Sequence, residues 1–138
     1  MNITCATLIT KNSELLIVHP TNASKYKSWS LPKGCVNENE EYVDAAVREL
    51  EEETSLKISS SLLKYVGLYD YQKNKKYALF LYRINKMPDI KELKCLSYID
   101  NTEILEVDEF KIIGFNEIEK YLNPKQFLII DNALSFIM

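Results

Sequence analysis

Glu49, Glu52 and Glu53 are spaced so that a helix would carry all three carboxylates on one flank. From Glu41 to Thr54, Val43, Ala46, Val47 and Leu50 recur at i, i+3, i+4 and i+7, which predicts an amphipathic helix. At about 100° per residue, with Leu50 as origin, the apolar positions stay within roughly 60°. Glu53, Glu49 and Glu52 then follow over an arc of about 100°, with Arg48 beside Glu52 and Glu51 set apart. Carboxylates crowded in this way repel, at about 0.2–0.5 kcal/mol per pair. A solvated face tolerates that repulsion through hydration. A divalent cation converts it into coordination, and magnesium and manganese favour such oxygen ligands.

The charge of the chain divides along the same line. Of its 20 acids, eight lie between Glu38 and Glu53 with Arg48 as the one base, so this segment is −7 and the other residues are +4 within a net −3. The 46% hydrophobic and 27% charged content over 138 residues is that of a globular domain and excludes disordered, collagen-like and fibrous classes. The longest apolar runs, Leu15–Val18 and Ala78–Tyr82, fall short of the roughly 18 residues of a membrane span. No charged-then-apolar leader precedes the strand-like start at Ile3. Cys5, Cys35 and Cys95 lack metal-type spacing and suit a reducing compartment. The expectation is a single domain over residues 1–138, cytoplasmic and without a membrane partner.

Other elements must position that helix. Ile3, Cys5, Thr7 and Ile9 alternate with Thr4, Ala6, Leu8 and Thr10 as in a strand with one apolar face. Glu14–His19 reads as its hairpin partner across Lys11–Ser13. A polar loop from Pro20 to Ser28 leads to an extended Trp29–Leu31, broken by Pro32-Lys33-Gly34, and Asn39 is the expected helix cap. Lys64–Tyr71 and Lys76–Ile84 read as strands, Ile90–Leu96 as a short helix, and Ile104–Val107 and Lys111–Phe115 as short strands. Asn116 is expected to cap a helical turn to Leu122. Pro124 opens a last helix with Phe127, Ile130, Leu134 and Ile137 on one side. The order predicts an α+β fold with a mixed sheet between helices.

Gly34 to Leu56 resembles the Nudix box, in which a glycine, five residues, a glutamate and seven residues precede Arg-Glu-aliphatic-x-Glu-Glu-x-Gly-aliphatic. Here Gly34 and Glu40 stand at those spacings, followed by Arg48-Glu49-Leu50-Glu51-Glu52-Glu53-Thr54-Ser55-Leu56. The one departure is Ser55 in place of the second glycine, at a helix end where a left-handed residue is favoured and a serine costs about 1 kcal/mol. It removes no catalytic group.

The resemblance implies an α/β/α sandwich and a Mg²⁺- or Mn²⁺-dependent hydrolase of nucleoside diphosphates linked to another moiety. By position, Glu49, Glu52 and Glu53 correspond to the metal-binding or base carboxylates. Arg48 corresponds to the arginine that orients a glutamate, Glu40 to the outlying acid, and the backbone of Lys33 to a further metal ligand. The base is either Glu49 or a downstream glutamate. Glu106 is preferred to Glu103 and Glu109, because Glu106–Glu117 resembles the corresponding segment of dinucleoside polyphosphate hydrolases.

Substrate contacts are expected from the residues around the box. Lys33 is a point charge for phosphate. Trp29 either stacks on a base or fills the core beneath its loop. Tyr71, with Tyr69, lies near a tyrosine of diadenosine-polyphosphate hydrolases, and Lys76 belongs to a basic turn with Lys73 and Lys75. His19 is read as structural or as part of the substrate rim, and Cys35 is given no role. The expected substrate is a dinucleoside polyphosphate such as diadenosine tetraphosphate, with RNA 5′ ends (triphosphate or cap) as the enzymatic alternative. A non-catalytic nucleotide sensor predicts loss of a metal carboxylate, whereas all three stand.

Overall fold

The alternating residues of β1 (Asn2–Lys11) are buried on both sides rather than one. In the computed structural model, which describes residues 2–137, this strand lies in the middle of a six-stranded sheet. Ala6 and Leu8 face one core, while Cys5 and Ile9 face the other side. A central strand covered by helices on both faces has no solvent side to display.

β1 turns at Asn12 and Ser13, both at positive φ, into β2 (Glu14–Pro20). The short β3 (Lys33–Cys35) also pairs antiparallel with β1, setting Gly34 opposite Cys5. β4 (Lys64–Gln72) and β5 (Lys75–Arg83) form a hairpin, and β5 runs parallel to β1 on its other edge. β6 (Val107–Gly114) pairs antiparallel with β2, giving the order β4-β5-β1-β2-β6. The sheet is therefore mixed, as expected.

Helix α1 (Tyr42–Thr54) covers one face, packing Ala45, Ala46 and Leu50 over Cys5, Phe80, Ile9 and Leu16. Helix α3 (Pro124–Ile137) covers the other with Ile129, Ile130 and Ala133. This is an α+β chain in an α/β/α sandwich. Among the described residues no helix is long and apolar enough to cross a membrane.

Several local expectations are corrected. Asn39 does not cap α1. It takes a left-handed φ of 64° in a turn closed by the Glu40 N–H to the Asn37 carbonyl, and Glu41 occupies the cap position without a side-chain bond. Ile90–Leu96 shortens to one 3₁₀ turn, Ile90–Glu92. The two short strands predicted over 104–115 are one strand, β6, with Leu105 forming an isolated bridge to Tyr98.

The turn after β6 is held by Glu117, whose Oε1 accepts the Gly114 N–H at 3.1 Å, rather than by Asn116. It leads through Phe115–Glu117 into the short α2 (Ile118–Tyr121). On α3, Phe127, Leu134 and Ile137 are only partly buried, while Gln126 is wholly buried.

Candidate active site

α1 sits rotated on the sheet so that Ala45, Ala46, Leu50, Glu53 and Thr54 are buried, while Val43 and Val47 of the expected stripe around Leu50 are only partly buried. That rotation draws two carboxylates inward. Glu53 is 8% exposed and accepts the Lys33 backbone N–H at 3.1 Å. The Glu49 side chain is 14% exposed and lies directly on the backbone of Gly34, where a Cβ would overlap its carboxylate. Glycine at this position is therefore a matter of space, since its φ is not positive.

Arg48 organises the acids from the outer side. Its Nε and Nη2 donate to Glu40 at 2.9 and 3.0 Å, and Nη1 donates to Glu49 at 2.8 Å and to Glu52 at 3.0 Å. Nη2 also donates to the Cys35 carbonyl at 3.0 Å, tying α1 to β3. A planar fork of donors suits this task in a way that a lysine ammonium does not. Hydrogen bonding to Arg48 holds Glu40 below the usual carboxylate range, despite some desolvation.

A cavity of about 500 Å³ opens over Lys33, Gly34, Cys35, Glu49 and Glu53, with Ser30, Asp100 and Glu106 on its other walls. Burial pushes the Glu49 carboxyl up to about 6 against the opposing pull of Arg48. Burial likewise pushes Glu53 up to about 8, and the negative charges of Glu49 and Glu106 add to the rise. Both carboxylates are held largely away from water, Glu49 with the Arg48 guanidinium as partner and Glu53 with the Lys33 backbone N–H.

Among the described residues no three Asp, Glu, His or Cys side chains converge into a ready-made metal cage. The donor set instead fits a magnesium-type ion that keeps several waters and takes one or two carboxylates plus substrate phosphates. Glu49 and Glu53 are the groups that could hold it. Glu52 is turned to Arg48, is 39% exposed and does not line the cavity.

The structure also separates residues that the sequence grouped together. Glu106 lines the cavity, whereas Glu109 pairs with Lys25 at 2.9 Å and Glu103 lines neighbouring depressions. Trp29 does not offer a stacking face: it is 3% exposed, lies against His19 and Tyr121, and has Lys25 and Lys111 near its ring. Tyr71 is also buried, edge-on to Tyr77, with the Lys33 ammonium 5.9 Å from its ring centre. A base has no access to either ring. Lys76 is ion-paired with Asp70 on the β4–β5 hairpin and does not line the cavity.

His19 does have a carboxylate partner, which is remote in sequence. Its Nδ1 meets Asp108 at 2.7 Å and its Nε2 meets the Ser24 carbonyl at 3.0 Å, so it braces the Pro20–Ser28 loop. Asp100 and Ser30 line the cavity without any local pattern to mark them. Asp100 falls in a stretch with no periodicity, and Ser30 is placed by bonding across to Val18.

Comparison with known proteins agrees with this architecture. The NUDIX domain family model matches residues 2–131. An uncharacterized 17.7 kDa protein of Enterobacteria phage T4, from the e–segB intergenic region, is 33% identical over 110 residues, covering 75% of this chain and 73% of that protein. An RNA pyrophosphohydrolase of Pelagibacter ubique is 46% identical over 44 residues, covering 32% of this chain and 28% of that protein. In three dimensions the chain resembles a bifunctional NMN adenylyltransferase/ADP ribose pyrophosphatase from Francisella tularensis, solved with AMP and a Mn ion. The TM-score is 0.69 at 19% identity, and the match covers 97% of this chain and 41% of that longer one.

Proposed function

The chain belongs to the Nudix family of hydrolases, and from that premise we propose that it is a Mg²⁺- or Mn²⁺-dependent pyrophosphohydrolase of dinucleoside polyphosphates such as diadenosine tetraphosphate. In this reading it works as a single domain in the cytoplasm, where the free thiols of Cys5, Cys35 and Cys95 stay reduced. The observation that carries the reading is the pair of desolvated carboxylates, Glu49 and Glu53, pressed against the Lys33–Gly34 backbone in a cavity also lined by Glu106.

A pyrophosphate is densely anionic and repels a hydroxide nucleophile. A dication held at this site would supply charge neutralisation for the phosphate oxygens and would make an attacking water more acidic. Glu49 and Glu53 would hold it, with the backbone of Lys33 as a further ligand and Glu52 available from the rim. Arg48 fixes the Glu49 carboxylate through its 2.8 Å bond, as outer-shell partners do for metal ligands. The Lys33 ammonium supplies a charge for phosphate at the same cavity.

Glu106 is the favoured proton acceptor. It is exposed and lines the cavity, while Glu49 is engaged with Arg48. A base must come within hydrogen-bond reach of the proton it abstracts, and a carboxylate already committed to an arginine is less free to do so.

RNA 5′ ends are a second reading, favoured by the 44-residue stretch that is 46% identical to an RNA pyrophosphohydrolase. A substrate panel with Mg²⁺ or Mn²⁺ separates the two. Release of ATP and AMP from diadenosine tetraphosphate supports the first reading, and release of pyrophosphate from triphosphorylated RNA with no action on the dinucleotide replaces it with the second. Turnover of neither, or activity that survives both Glu52→Gln and Glu53→Gln, removes the assignment.

A further inference from the structure

The stretch from Trp29 to Lys33, which delivers the cavity's floor, is hung between the two helical layers. The Trp29 and Ser30 N–H groups go to the backbone carbonyls of Tyr121 and Val18, and Pro32 has no N–H to give. The two remaining amides rely on side chains from opposite faces of the sheet. Lys33 donates to Glu53 of α1 at 3.1 Å, and Leu31 donates to Gln126 Oε1 of α3 at 3.2 Å.

Gln126 is fully buried, a polar side chain on a helix face that is otherwise apolar. Its Oε1 also accepts the Tyr77 hydroxyl at 2.7 Å, and its Nε2 donates to Ser30 Oγ at 2.9 Å. The Ser30 hydroxyl in turn donates to the Leu31 carbonyl at 2.6 Å. The amide orientation is fixed by chemistry: turned over, its NH₂ would face the Leu31 N–H, which only donates. Gln126 therefore holds both Ser30 and Leu31, and the stiff Pro32 carries that constraint to Lys33 and Gly34.

We propose that Gln126 is a positioning residue for the active site, fixing from the far side of the sheet the Lys33–Gly34 backbone on which Glu49 and Glu53 lie. It touches neither substrate nor metal. Its kinetic consequence rests on the hydrolase reading above, while its effect on the backbone does not.

The test compares Gln126→Met with Tyr77→Phe, which removes one partner of Gln126 without touching the loop. Amide hydrogen exchange at Leu31 and Lys33, and Mn²⁺ affinity of the substrate-free protein, are the readouts independent of turnover. In Gln126→Met we expect exchange at both amides to rise about tenfold or more. Mn²⁺ affinity should fall several-fold and kcat/KM about tenfold, carried mainly by kcat, against the roughly hundredfold of a full 1 Å misplacement. Tyr77→Phe should leave the exchange and Mn²⁺ affinity at wild-type values.

A folded Gln126→Met protein with wild-type exchange at Lys33 and wild-type Mn²⁺ affinity overturns the proposal. So do equal changes in both variants. Should Gln126→Met not fold, Ser30→Ala decides: faster Leu31 and Lys33 exchange supports the proposal, and unchanged exchange overturns it. If the wild type hydrolyses no phosphoanhydride, the substrate assignment falls while the exchange and Mn²⁺ measurements still decide the role of Gln126.

Discussion

The Glu49 carboxylate lies against the backbone of Gly34 so closely that no Cβ fits between them. This contact locks the first residue of the acidic motif to its helix across the β3–α1 connection. It accounts for the glycine by proximity, with no demand for a left-handed backbone.

Gly34→Ala should consequently separate stability from activity. The displaced group is the end of a flexible side chain, so the fold should tolerate the methyl group with a loss of about 1 kcal/mol or less. Glu49 must move, however, and kcat/KM should fall by about 10²-fold. Thermal melting together with steady-state kinetics checks both halves, and near wild-type turnover would contradict the positioning of Glu49 by this contact.

Arg48→Lys tests the fork of donors. A lysine keeps the charge but cannot bond Glu40, Glu49, Glu52 and the Cys35 carbonyl together. Activity should fall about 10–100-fold, with about 1–2 kcal/mol lost in urea unfolding because the pairs are only partly buried.

The raised carboxyl groups predict an unusual pH dependence for the metal-free protein. With folded values of about 6 for Glu49 and about 8 for Glu53, both above their ordinary 4.5, the folded state binds protons more tightly than the unfolded one. Their contribution is therefore fully present below about pH 4.5 and is lost as pH rises through about 6 and then about 8. The apo Tm should fall across that window. Excess Mg²⁺ should raise it more at pH 8, where the carboxylates are free to bind, than at pH 5.5. Glu53→Gln should flatten the upper part of the slope, and an apo Tm rising from pH 6 to 8.5 in the wild type alone would contradict the burial of Glu53 as its cause.

Ser55, at φ 67° just past α1, carries two opposing effects. A glycine there relieves left-handed strain of about 1 kcal/mol. It also removes the Ser55 Oγ that accepts the Lys94 N–H at 3.2 Å, an amide that has the Thr54 carbonyl as well. Because that amide keeps a partner, Ser55→Gly should be neutral to slightly stabilising. Ser55→Ala, which keeps the strain and loses the bond, should be the less stable of the two by about 1 kcal/mol in urea titrations.

What was legible in the sequence had local causes. The period of Val43, Ala46, Val47 and Leu50 marked α1, and the spacing of the acids marked the flank facing the cavity. Contacts across the sheet were hidden. His19 finds Asp108 only because β2 pairs with β6, and Gln126 reaches Ser30 and Leu31 only because α3 lies beneath their loop. Trp29 and Tyr71 carry no local sign of burial, and the layers that cover them are set far along the chain. Glu52 leaves the cavity for a similar reason, since the rotation of α1 on the sheet is decided by packing.

The most direct measurement of the central claim is the rate of diadenosine tetraphosphate cleavage, with product identification, for wild type, Glu53→Gln and Glu106→Gln, each with Mg²⁺ and with chelator. The wild type should yield ATP and AMP only with the dication present. Glu53→Gln should lose about 10²-fold or more, and Glu106→Gln should show a loss concentrated in kcat. Cleavage that persists under chelation, or that is unchanged in Glu53→Gln, would contradict that claim.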